Sequence, residues 1–107
     1  MITVLVVSEP ARARDLDDAA ARMPSLELLH ASDVEQALDR LARNRRIDAV
    51  LLLLEGEAAA EMVRTVFEED PGAPPIFVAG SAVEGTRSLP RAGSTTLLEA
   101  LERSVAG

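Results

Sequence analysis

The chain has 107 residues, 48% of them hydrophobic, which is the usual length of one domain and enough apolar material for one core over residues 1–107. It has no Cys and one His, excluding disulfides, thiolate chemistry and thiolate or multi-imidazole metal sites, so neither a metal nor any other cofactor is expected. A net charge of −7 and only two aromatic residues, Phe67 and Phe77, argue against nucleic-acid binding.

Ile2 to Val7 is a near-continuous β-branched run, the pattern of a strand buried on both faces of a parallel sheet. It is too short for a membrane span and lacks the basic flank of a signal peptide, so the chain is expected in the cytosol, away from membranes. Pro10 suits the first turn of a helix, whose apolar positions Leu16, Ala19, Ala20 and Met23 recur before Pro24. Asp15, Asp17 and Asp18 form its wet face. Leu26 to Ala31 reads as a second strand. Ser32-Asp33-Val34-Glu35 has the form of a capping box and predicts a helix with the stripe Val34, Ala37, Leu38 and Leu41.

The most apolar strand is predicted over Asp48 to Leu54, at the centre of the sheet, followed by a helix with the stripe Ala59, Met62, Val63, Val66 and Phe67. Asp70-Pro71-Gly72 ends that helix. Pro75 to Ala79 is a fourth strand, and Leu97, Leu98, Leu101 and Val105 mark a last helix capped by Ser94. Between Ala79 and Ser94 there is no helical stripe, only Gly80, Gly85, Pro90 and Gly93 among small and polar residues. A short fifth strand over Thr86 to Leu89 is expected there, with the helix before it reduced or missing. This alternation predicts an α/β, flavodoxin-like, doubly wound parallel sheet of order 2-1-3-4-5.

Ligands of open α/β sheets bind beyond the carboxyl ends of the strands, which selects Ser8, Glu9, Leu53, Glu55, Gly80 and Ser81. The runs Val4 to Glu9, Asp48 to Leu54 and Pro75 to Val78 resemble the three central strands of response regulator receiver domains, with the likeness covering about residues 1 to 80. That resemblance implies cytoplasmic two-component signal transduction in a bacterium. It places Ser8-Glu9 where the family carries a magnesium-binding acidic pair, and Leu53 where it carries the phosphoacceptor aspartate. Gly80 falls where the family has a Thr or Ser, with Ser81 one residue on. Leu89, ahead of Pro90, falls where it has a lysine, and the chain has no Lys at all, its eleven cationic side chains all being Arg.

Phosphoryl transfer depends on placed charge, from a metal and a cation on the equatorial oxygens. With acceptor, lysine and one metal ligand missing, the chain reads as a pseudo-receiver, not an enzyme, that acts through protein partners independently of aspartyl phosphorylation. Arg87 or Arg91 offers a cation, although a guanidinium fork does not reproduce an ammonium point charge. Glu9 and Glu55, with Ser81, are the candidates for a residual ligand or ion site. The alternative is a small-molecule or nucleotide-binding regulatory domain of the same fold, using the crevice around Ser8, Gly80 and Ser81. Arg40, Arg43, Arg45 and Arg46 suit a helix C-terminus or an acidic protein partner. His30 reads as structural. An incompletely covered last sheet edge favours homodimer contacts.

Overall fold

The structure is a computed structural model, and it describes residues 1–44, 46–80 and 83–106. Five parallel strands form one sheet in the order β2-β1-β3-β4-β5. In chain order the elements are β1 (Ile2–Val7), α1 (Pro10–Ala20), β2 (Leu26–Ala31), α2 (Val34–Arg43), β3 (Ala49–Leu52), α3 (Gly56–Glu69), β4 (Ile76–Ala79), β5 (Arg87–Leu89) and α4 (Ser94–Ala106). The topology is that of a flavodoxin-like, receiver-like fold with one helix fewer than strands.

The pleat of the strands divides the core in two. Leu5, Val7, Val50, Leu52, Ile76 and Val78 face α2 and α3, whereas Val4, Val6, Ala49, Leu51, Phe77 and Leu89 face α1 and α4. Because side chains alternate across a strand, an apolar run without a polar gap can only be a strand covered on both sides. The amino end of β1 is fixed by Asp48, whose Oδ2 accepts from the Thr3 N–H at 2.8 Å while its own N–H donates to the Thr3 carbonyl at 2.8 Å.

Several local expectations need correction. β3 ends at Leu52, so Leu53 and Leu54 lie beyond it, although the Leu53 N–H still donates to the Val7 carbonyl at 3.0 Å. The cap of α2 is Asp33, whose carboxylate accepts from the Gln36 N–H at 2.8 Å; the Gln36 side chain in turn accepts from the backbone and hydroxyl of Ser32. The reciprocal cap is thus shifted one residue from Ser32 and Glu35. Ser94 is already the first residue of α4, and the Gly93 carbonyl accepts from the Leu97 N–H at 2.9 Å. Phe67 is 38% exposed and sits at the margin of the core.

Among the described residues no helix lies between β4 and β5, and the connection runs over residues 80–86. Parallel strands ordinarily need a crossover of about a dozen residues. Here the strands are so short that the chain must climb only about 13 Å, within reach of a few extended residues at about 3.3 Å each. The loop closes on a turn in which Thr86 donates through both its N–H and Oγ1 to the Val83 carbonyl. Gly85 takes φ +83 against the ring of Phe67. No helix among the described residues is long and apolar enough to cross a membrane.

Candidate functional site

At the carboxyl edge of the sheet the chain leaves β1, β3, β4 and β5 in turn, and their exits enclose a cleft of about 560 Å³. Its floor and walls are Leu53, Leu54, Ala79 and Ala92. Its charged groups are Glu9, Arg12, Glu55 and Arg91.

Ser8, directly after β1, is buried, and its hydroxyl donates to the Glu9 carbonyl at 3.2 Å. Glu9 is exposed and stands at the N-cap of α1, where its side chain makes no capping bond. Leu53 is partly buried and packs against the cluster of Leu51, Phe77 and Leu89. Glu55 stands in the same place relative to α3, again without a capping bond. Gly80 follows β4, and its N–H donates to the Leu89 carbonyl at 3.0 Å. Leu89 is buried in β5 with its side chain in the α1/α4 core. Ser81 lies outside the described residues, as does Arg45.

The decisive contact crosses the cleft. Arg91 Nη2 meets Glu55 Oε1 at 2.9 Å, joining the β5–α4 loop to the start of α3. Gly80 lies beneath it with φ +78, and a Cβ there would come within 2.7 Å of Arg91 Nε. The positive φ is the reason for glycine at this position, and the guanidinium of Arg91 lies over it. Arg87 is committed elsewhere, its guanidinium 5.7 Å from the centroid of the Phe77 ring.

These residues do not fit a magnesium ion. A divalent cation wants several oxygen ligands, but the cleft lining offers only the carboxylates of Glu9 and Glu55 among two guanidiniums, and the hydroxyl of Ser8 is turned to the backbone. Among the described residues no three His, Cys, Asp or Glu side chains gather at one point. The other sequence candidates lie away from the cleft. His30 Nε2 meets Asp17 Oδ1 at 2.8 Å between β2 and α1. Arg43 pairs with Asp39 at 2.9 Å, and Arg40 Nε donates to the His30 carbonyl at 3.3 Å.

Arg12 is the cleft residue that sequence reasoning missed. It lies in the first turn of α1, its Nη2 reaches the Ala92 carbonyl at 3.4 Å, and its Nε is buried without a partner. Its sequence context, Ala11-Arg12-Ala13-Arg14, gives no cue to this, because the partner surface is eighty residues away.

No protein-family model matches the sequence, and no curated protein matches it. Solved structures do. A response regulator from Thermotoga maritima superposes with a TM-score of 0.77 at 21% identity, covering 100% of this chain and 99% of that one. A response regulator in red light signaling of R. palustris gives 0.69 at 23% identity, covering 97% and 91%. A chain from the complex of the phosphorylated P1 domain of CheA3 with CheY6 of R. sphaeroides gives 0.73 at 17% identity, covering 98% and 96%. The chain has the receiver fold.

Proposed function

We propose that this chain is a receiver-like signalling domain that binds protein partners without aspartyl phosphorylation. The observation that carries the reading is the occupancy of the strand-end cleft: Leu53 follows β3, and Arg91 bridges to Glu55 across the mouth. A phosphorylation site built on a carboxylate needs an acceptor, a metal and a cation, each positioned around the phosphoryl oxygens. A leucine offers no nucleophile, Ser8 adds no charge for a metal beside Glu9, and the chain has no lysine. A fold whose switch chemistry is absent still presents its helices and loops as a fixed surface. That surface is altered where β4 passes to β5 without a helix. Protein partners are also what the receiver fold meets in the complex of CheY6 with the P1 domain. Binding rather than catalysis is the role consistent with these residues.

The test is denaturing intact-mass measurement after incubation with acetyl phosphate and magnesium. The mass is expected to stay unchanged, and an acid-stable, base-labile gain of one phosphoryl group would overturn the reading.

A further inference from the structure

Arg12 breaks two rules of protein electrostatics at once. It puts a positive charge in the first turn of a helix, where the macrodipole favours anions. It is also half-buried, and buried charges are ordinarily paired. No carboxylate of the described residues pairs with Arg12, its Nε–H has no acceptor, and its one hydrogen bond is a long contact to a neutral carbonyl. Such violations of local rules concentrate where a site is completed by something else.

The surroundings point to the missing partner. A second guanidinium, Arg91, lines the same cleft, held by an ion pair whose side chains are 70% and 68% exposed and so is readily exchanged. The helices that start at the cleft, α1 and α3, both lack a side-chain cap, which leaves first-turn N–H groups for an acceptor, whereas α2 is closed by Asp33. Guanidinium forks match the oxygens of carboxylates and phosphates. Leu53, Leu54, Ala79 and Ala92 supply the compact apolar wall that an organic anion would pack against.

We propose that the cleft binds a small oxyanion, a phosphate monoester or a carboxylate, reversibly and without metal, between Arg12 and Arg91. The oxyanion takes the terminal N–H groups of Arg12, whose one hydrogen bond is the 3.4 Å contact to the Ala92 carbonyl, and competes with Glu55 for Arg91. Glu55 thus acts as an internal competitor for Arg91 when ligand is absent. This binding is independent of the partner-binding reading above, because it is non-covalent and leaves the mass of the denatured chain unchanged.

Amide NMR titration with inorganic phosphate, at constant ionic strength and without magnesium, tests the proposal, with acetate as a parallel arm. Saturable shifts are expected at the amides of Glu9, Ala11 and Arg12, of residues 54–57 and of residues 91–92, and whichever anion saturates identifies the oxyanion class. Arg12→Gln is expected to weaken binding about tenfold or more, since bonds to charged groups are the strong ones. Glu55→Gln is expected to tighten binding several-fold by releasing Arg91. Arg91→Gln, at an exposed position that folding does not need, must also weaken binding and decides the matter if Arg12→Gln perturbs the fold. Shifts that never saturate with either anion, or an affinity unchanged by loss of either arginine, would overturn the proposal.

Discussion

Leu53 shows how far a single position can be read. The apolar run beginning at Asp48 placed it inside the third strand, whereas the structure ends β3 at Leu52 and packs Leu53 against Leu51, Phe77 and Leu89. It is partly buried yet lines an open cleft, so Leu53→Asp removes apolar contact while leaving the new carboxylate near water. The expected cost is about 1–3 kcal/mol, read as a lowered denaturation midpoint with an unchanged slope. Loss of cooperative unfolding would show that the site is closed over Leu53. Arg91 was legible as a cation near the cleft, but its bridge to Glu55 was not, because only the fold brings the β5–α4 loop to the start of α3. Arg12 was invisible for a related reason: a missing counter-ion is a property of space.

Element by element, the sequence was most legible where burial is two-sided. β1, buried on both faces, spans the Ile2 to Val7 run, whereas β2 spans Leu26 to Ala31 at the sheet edge with only its two ends buried. β3 was over-extended because Leu53 and Leu54, which line the cleft, are as apolar as the strand they follow. The α2 cap was misplaced because Ser32 with Glu35 and Asp33 with Gln36 satisfy the same spacing, and only the observed bonds choose between them. Asp33→Ala is therefore expected to cost about 1 kcal/mol in equilibrium unfolding, in line with other N-cap removals. Ser32→Ala should cost less, since the Ser32 backbone N–H keeps its bond to Gln36. An equal or larger loss at Ser32 would restore the cap to that residue. The missing helix between β4 and β5 was foreseen from the lack of an apolar stripe, and the shortness of both strands explains why the chain can do without it.

For the whole molecule, the proposed loss of phosphoryl chemistry is compatible with an intact receiver fold. The sheet order and the two-sided core are those of the receiver fold, supported by likeness to solved response regulators across nearly the whole chain. The charged groups at the carboxyl edge have a different character, two guanidiniums and two carboxylates around leucine and alanine. A fold is kept by its core, whereas phosphoryl chemistry depends on a few placed groups, so the second can be lost with the first intact. Restoring the acceptor alone should therefore not restore phosphorylation. With Leu53→Asp, incubated with acetyl phosphate and followed by intact mass against time with and without magnesium, labelling should be absent or slow and insensitive to the metal. Rapid, magnesium-dependent labelling of that variant would contradict the account.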